Sequence, residues 1–204
     1  EQVLAPAPTD YRKTILYNTY DITPQLQKEN AIGVILGNGR FYTMRQNYKP
    51  YKIPTFGYPK LRLNLIVEYT DGSRQTIASD ISWKLTTEGP IRSNNEYDGE
   101  EYDARKELGD WNRAGYDDTN WIPAGRVSIP SGTLRAQMMP GMKVTESLKP
   151  VSIRKQGDKQ ILDIGQNTAG WLRIRIKGQA GDSIRLRFAE RLQPDGEIFT
   201  KNLR

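Results

Sequence analysis

Residues 60 to 78 read Lys60-Leu61-Arg62-Leu63-Asn64-Leu65-Ile66-Val67-Glu68-Tyr69-Thr70-Asp71-Gly72-Ser73-Arg74-Gln75-Thr76-Ile77-Ala78. Leu61, Leu63, Leu65, Val67 and Tyr69 recur at every second position, and Lys60, Arg62, Asn64 and Glu68 fall mostly between them. Successive side chains of an extended chain point to opposite faces, so this period predicts a strand with one apolar face. Asp71-Gly72 supplies residues that tolerate a tight reversal, and Arg74 to Ala78 then returns as the second strand of a hairpin.

The same grammar extends outward. Thr14 to Asp21 and Ala31 to Leu36 read as strands, separated by Thr23-Pro24, a helix-start signature with room for a single turn before Glu29-Asn30. Ile81 to Leu85 and Ile91 to Asn94 read as short strands. No stretch repeats apolar residues at i, i+3, i+4 and i+7 over three turns, so the expected class is all-β, without long helices. Residues 40 to 59, rich in Tyr, Pro, Lys and Gly, form a long excursion in which Tyr42, Tyr48, Tyr51, Phe56 and Tyr58 either line a sugar site or pack the loop onto its own sheet.

Ser131-Gly132, Pro140-Gly141 and Lys149-Pro150 interrupt the pattern and place a domain boundary between Pro130 and Pro150. The expected domains are 1–135, a β-sandwich cut at its start, and 145–204, the beginning of a second β-sandwich too short to be complete. Strands are expected in the second at Val151 to Arg154, Gln160 to Ile164, Trp171 to Lys177 and Ser183 to Glu190, with Gly178 to Asp182 as a hairpin connection. Edge strands at both ends would lack partners, so a piece of a larger protein is expected.

Composition narrows the chemistry. The 204 residues contain no Cys and no His, which removes disulfides, thiolate nucleophiles, Ser-His triads and almost all transition-metal sites. Oxygen ligands remain, so calcium is the one metal to entertain. The mean hydropathy is -0.71, and no run of about 18 apolar residues suggests a membrane span. The net charge of +6 is spread along the chain, and no nucleic-acid partner is expected. Its densest set, Arg173, Arg175, Lys177, Arg185 and Arg187, alternates with Leu172, Ile174, Ile176, Ile184, Leu186 and Phe188. A sheet face covered by solvent or by an acidic surface fits this set better than phosphate binding, because no aromatic residues are interleaved on the basic face.

Candidate chemistry concentrates in Tyr97-Asp98-Gly99-Glu100-Glu101-Tyr102-Asp103-Ala104-Arg105. Three readings stay open. Two of the carboxylates could be a glycosidase pair about 5 to 10 Å apart. Alternatively Tyr97, Asp98, Glu100, Tyr102 and Asp103 bind carbohydrate, the carboxylates accepting hydrogen bonds from vicinal hydroxyls and Asp98, Glu100 and Asp103 holding calcium. Or the run is structural, with Arg105 paired to a neighbouring carboxylate and the tyrosines packed inward. In Tyr116-Asp117-Asp118-Thr119-Asn120-Trp121, Asp117 or Asp118 suits the cap of a short turn, and Trp121 reads as a core plug rather than a sugar platform. In Asp163-Ile164-Gly165-Gln166-Asn167-Thr168-Ala169-Gly170-Trp171 the amides of Gln166 and Asn167 are expected to tie down backbone.

With Val3-Leu4-Ala5-Pro6, Thr9-Asp10-Tyr11-Arg12-Lys13, Tyr17-Asn18-Thr19-Tyr20-Asp21-Ile22-Thr23 and Asn30 to Gly39 upstream, these runs resemble, in order, the amino-terminal sandwich domain of bacterial α-L-rhamnosidases, glycoside hydrolase family 78. Asp163 to Trp171, Arg187-Phe188-Ala189-Glu190, Pro194-Asp195-Gly196 and Thr200 to Arg204 resemble the start of the family's concanavalin-like sandwich. The resemblance implies a jelly-roll, galactose-binding-like first domain and an inverting enzyme that releases terminal α-L-rhamnose from plant polysaccharides or glycosides. It also implies catalysis in a later helical barrel, so no catalytic residue is expected here and the chain alone should be inactive. Some relatives bind rhamnose through calcium in this domain. The implied partners are a rhamnose-containing carbohydrate, the barrel and neighbouring β domains of the same polypeptide. A purely structural scaffold and a lectin-like module outside any enzyme are the alternatives. The implied substrate favours a periplasmic or extracellular location. Many relatives have a Trp after the Gly37-Asn38-Gly39 loop, whereas this chain has Arg40-Phe41, a departure where a sugar-stacking platform would sit.

Overall fold

A computed structural model describes residues 3–42, 55–95 and 98–202. The chain forms two units, Pro6–Met139 and a second made of Glu1–Ala5 with Pro140–Arg204. Regular structure is strand throughout the described residues, apart from single 3-10 turns at Thr23–Gln25 and Ala104–Lys106. Among those residues no helix is long and apolar enough to cross a membrane.

In the first unit, β1 (Thr14–Tyr17) pairs in parallel with β8 (Thr133–Ala136), Thr14 opposite Thr133 and Tyr17 opposite Ala136. Gly132 makes this pairing possible, since a Cβ there would lie 2.4 Å from the Tyr11 carbonyl oxygen. The stretch read first from the sequence is the hairpin of β2 (Asn64–Glu68) and β3 (Arg74–Ala78), closed by a turn in which Gly72 takes φ +83° and Asp71 Oδ1 accepts the Ser73 N–H at 2.8 Å. Leu63, Leu65 and Val67 are half-buried while Ile66 is 60% exposed, so burial alternates in the middle of the run; the strand expected from Lys60 to Tyr69 shortens to Asn64–Glu68, and Leu61 and Tyr69 at its ends are exposed. The short strands β4 (Lys84–Leu85) and β7 (Ile122–Pro123) pair antiparallel, as do β5 (Ile91–Asn95) and β6 (Gly99–Tyr102).

Two aromatic clusters pack the first unit. Tyr11 meets Phe41 and Phe56 edge-on, each with centroids 5.0 Å apart, and Trp121 stacks on Trp111 at 6.4 Å with Tyr116 edge-on at 5.8 Å. The run Ala31 to Leu36, expected as a strand, joins no ladder among the described residues. Side chains fix its two ends instead. Asn30 accepts the Gln27 N–H at 2.8 Å, Asn38 is bound to Asn94, and Gly33 lies against the Trp111 ring. The expected strands Thr14 to Asp21 and Ile81 to Leu85 shorten to β1 and β4.

In the second unit β9 (Ser152–Gln156) and β10 (Lys159–Asp163) form an antiparallel hairpin, Gln156 opposite Lys159, turning at Gly157 with φ +63°. A Leu192–Ile198 bridge closes a loop that β9 holds: Arg154 Nη2 donates to the Gly196 carbonyl at 2.5 Å and Gln156 Nε2 to that of Asp195 at 3.2 Å. The expected hairpin across Gly178 to Asp182 is not a ladder. Asp182 closes a turn there, its N–H donating to Gln179 O at 3.1 Å and its carboxylate accepting the Gln179 N–H at 2.7 Å, but no ladder joins 171–177 to 183–190 among the described residues. A turn fixes a reversal locally, whereas register needs a partner strand for each run.

Candidate functional site

The acidic run is a hairpin arm. Glutamates and Gly carry little intrinsic strand preference, which is why β6 escapes a propensity reading; pairing with β5 supplies it. Asp98 N–H donates to Asn95 Oδ1 at 2.7 Å, Asn95 Nδ2 donates back to Asp98 Oδ2 at 3.1 Å, and Gly99 follows at φ +82°. This reciprocal pair shapes the turn. Glu96 and Tyr97 lie outside the described residues, so the Tyr97 reading is not placed.

Register then divides the carboxylates. Glu100 faces Asn94, Glu101 faces Ser93 and Tyr102 faces Ile91 across the ladder, with an irregularity between Ile91 and Ser93. Alternation puts Glu100 and Tyr102 on one face and Glu101 on the other. Asp103 leaves the strand altogether. It caps the 3-10 turn, accepting the Arg105 backbone N–H at 3.1 Å, Nε at 2.8 Å and Nη2 at 2.7 Å. The Arg105 guanidinium, helped by that backbone N–H, holds the Asp103 carboxyl down at about 2. Tyr102 Oη donates to Glu107, while Lys106 Nζ meets Glu88 at 2.8 Å. Among the described residues no group of three His, Cys, Asp or Glu gathers where it could hold a metal ion.

One member of this corner gives no signal as a charged motif. The Asn38 backbone N–H donates to Asn94 Oδ1 at 3.0 Å, and Asn38 Nδ2 donates to the Asn94 carbonyl at 2.9 Å. The Gly37-Asn38-Gly39 loop therefore lies over the hairpin beside the residue that faces Glu100. An Asn between two glycines was the available hint. The Asn38–Asn94 contact thus ties that loop to β5, the strand whose partner carries Glu100.

Other sequence candidates take packing roles. Phe41 and Phe56 belong to the Tyr11 cluster, and Lys60 Nζ lies 4.8 Å over Phe41 while donating to the carbonyls of Phe56 and Tyr58 at 3.0 and 3.1 Å. Tyr42 lies against Tyr58 with centroids 4.8 Å apart, and the hydrogen bond between them raises the Tyr42 pKa. Tyr48 and Tyr51 lie outside the described residues. Asp117 accepts the Thr119 N–H at 3.1 Å and its hydroxyl at 2.7 Å, Asp118 pairs with Lys84 at 2.7 Å, and Trp121, expected as a core plug, is half-buried against Trp111 and Tyr116. At Gly165 the turn is closed by Asp163 Oδ1, which accepts the Gly165 N–H at 2.8 Å, a job the sequence suggested for Gln166 and Asn167.

Against known families, the α-L-rhamnosidase N-terminal domain matches residues 1–146. The chain belongs to the α-L-rhamnosidase family. The bacterial α-L-rhamnosidase concanavalin-like domain matches residues 153–204. An α-L-rhamnosidase of Formosa agariphila is 39% identical over 98% of this chain and 21% of its own length, and one of Streptomyces avermitilis is 38% identical over 98% and 20%. The solved α-L-rhamnosidase of Dictyoglumus thermophilum superposes with a TM-score of 0.81 at 36% identity, over 97% of this chain and 22% of that one. The Streptomyces avermitilis α-L-rhamnosidase, solved with L-rhamnose, gives 0.80 at 32%, over 98% and 19%. The all-β fold is thus that of the rhamnosidase amino-terminal sandwich. The chain spans about a fifth of the length of these relatives.

Proposed function

We propose that this chain is the non-catalytic β portion of an inverting α-L-rhamnosidase that releases terminal α-L-rhamnose from plant polysaccharides or glycosides. The observation that supports it is the match of nearly the whole chain to about a fifth of enzymes named α-L-rhamnosidase. Its hydrolytic acid and base lie in another domain of the polypeptide, since an inverting enzyme needs two carboxyl groups facing one another across a water molecule. Within the hairpin, strand alternation separates Glu100 from Glu101, and Asp103 is bound to Arg105. The test compares the chain with the full-length protein on an aryl α-L-rhamnoside. The chain should release no aryl alcohol at any pH, and the full-length protein should release rhamnose whose anomeric configuration, followed by NMR, is inverted. Turnover by the repurified chain that disappears in Glu100→Gln would overturn this assignment.

A second reading is favoured by the Asn38–Asn94 contact, which brings a loop amide to the ladder partner of Glu100. In it this corner binds L-rhamnose, with calcium bridging protein and sugar oxygens, and Tyr102 lies on the same strand face as Glu100. Asp103, neutralised by Arg105, contributes through the turn it caps. Calorimetric titration with L-rhamnose, with and without calcium, separates a binding domain from a purely structural one.

A further inference from the structure

Asn38 is followed by Gly39, the only Asn-Gly pair in the 204 residues. An Asn in this context readily loses its side-chain amide, because the next main-chain nitrogen is one ring closure away from Asn Cγ and glycine puts no Cβ in the path. On the glycine side the approach is open. Gly39 is exposed at φ +46°, and a Cβ on it would meet nothing within 4 Å. Asn38 itself is held at three points: its N–H donates to Asn94 Oδ1 at 3.0 Å, its Nδ2 donates to the Asn94 carbonyl at 2.9 Å, and its carbonyl accepts the Tyr42 N–H at 3.0 Å. An intramolecular reaction is fast only where the reacting atoms can reach an attack geometry. With the backbone bonded on both sides of Asn38 and the side chain bonded as well, the rotations that carry Cγ onto the Gly39 nitrogen require the Asn94 contact to open.

We propose that Asn38 is a self-modification site gated by Asn94. When the contact opens, the Gly39 nitrogen, its proton taken by solvent base, bonds to Asn38 Cγ; the Cγ–Nδ2 bond breaks and Nδ2 leaves as ammonia, which gives a five-membered imide. Water then adds to one of the two imide carbonyls and opens the ring to aspartate or to isoaspartate. No oxidant or reductant takes part. Either product ends the contact, since a donor to the Asn94 carbonyl becomes an acceptor facing an acceptor. Isoaspartate also lengthens the main chain inside the turn that the Tyr42 N–H closes. The modification is one-way and unties the loop from β5, three residues before Phe41 enters the Tyr11 cluster.

The experiment ages the full-length protein and a synthetic peptide of residues 33–42 at mildly alkaline pH. Peptide mapping follows ammonia loss at Asn38, and electron-transfer fragmentation tells isoaspartate from aspartate. Asn38 in the folded protein should react at least about tenfold more slowly than in the peptide, because only the open fraction reacts. Hydrogen exchange of the Asn38 amide should show the same slowing within about threefold, a comparison that needs no variant. Asn94→Ala removes the Oδ1 acceptor, and the net worth of one hydrogen bond predicts a rate about three to ten times the parent's. Asp71→Ala takes the acceptor from the Ser73 N–H in the β2–β3 turn instead and should leave the Asn38 rate within about twofold of the parent's. The product should contain both aspartate and isoaspartate, and the modified fraction should exchange its Tyr42 amide faster than the unmodified one. Reaction at the peptide rate in the parent would overturn the proposal, as would slow reaction without protection of the Asn38 amide. So would a folded Asn94→Ala that reacts no faster than the parent, equal acceleration by Asp71→Ala, or aspartate formed without isoaspartate.

Discussion

Gly33→Ala is the sharpest perturbation of the first unit. A Cβ at residue 33 would lie 2.4 Å from Trp111 Cζ3, 2.8 Å from Trp111 Cη2 and 2.8 Å from Asn112 Cβ. Ordinary contacts of this kind begin near 3.4 Å, so the indole must retreat by roughly 1 Å or more. Its retreat is opposed by the stack on Trp121, at 6.4 Å and 29°, against which Tyr116 also packs. Overpacking of this kind costs about 1–3 kcal/mol and a disturbed aromatic pair about 0.5–1.5 kcal/mol, which together predict a loss of about 2–4 kcal/mol. The measurement is a urea titration followed by tryptophan fluorescence. It is repeated in a Trp111→Ala background, where the ring clash is gone and only the Asn112 contact remains, so the same substitution should then cost under about 1.5 kcal/mol. A loss within about 0.5 kcal/mol of zero, or equal losses in the two backgrounds, would refute the packing argument.

Gly132→Ala should cost more than Gly33→Ala by the same titration, because its Cβ would meet the Tyr11 carbonyl oxygen at 2.4 Å and the Thr14 nitrogen at 2.9 Å, backbone atoms of the β1–β8 pairing that no rotamer can move. NMR titration of Asp103 should give a midpoint at about 2, moving back toward 3.8 in Arg105→Ala. Because the folded pKa is depressed, the stabilisation is present above 3.8 and lost as pH falls toward 2, so the stabilities of parent and Arg105→Ala should converge in acid. At neutral pH Arg105→Ala should lower the melting temperature more than Asp98→Asn, and equal shifts would argue against the ion pair as the anchor of the turn. If the Asn38 corner binds sugar, calcium and L-rhamnose together should raise the melting temperature with the logarithm of ligand concentration, and Asp98→Asn should remove that rise; an unchanged melting temperature favours the scaffold reading.

Where the chain speaks in periods of two and closes on Asp-Gly, sequence and structure agree closely, as in β2 and β3. The all-β class follows from that period and from the missing helical repeat. Less legible were elements whose order comes from outside themselves. Ala31 to Leu36 has a strand composition yet is held by Asn30, by the Asn38–Asn94 contact and by the flat side of Trp111. Conversely Gly99–Tyr102 has a poor strand composition and is a strand because β5 presents a ladder to it. For Ala31 to Leu36 contacts with Asn94 and Trp111, more than fifty positions away, help decide the outcome, beyond any local window; for Gly99–Tyr102 the deciding partner is the adjacent β5, which composition taken residue by residue passes over.

The acidic run shows why closeness in sequence misleads about a site. Asp98, Glu100, Glu101 and Asp103 lie within six residues, which invites a common ligand. Three backbone states divide them: Asp98 belongs to a turn braced by Asn95, the two glutamates alternate across a strand, and Asp103 starts a 3-10 turn that binds it to Arg105. The partner brought close to this hairpin is instead Asn38, more than fifty residues upstream and uncharged. Phe41, which follows the same loop, is half-buried in the Tyr11 and Phe56 cluster beneath Lys60. A sugar at this corner would therefore depend on hydrogen bonds from the Asn38 side and on whatever ring Tyr102, 53% exposed on the Glu100 face, can present. Recognition weighted to hydrogen bonds is easily matched by water, so such binding would be weak unless a cation ordered the oxygens.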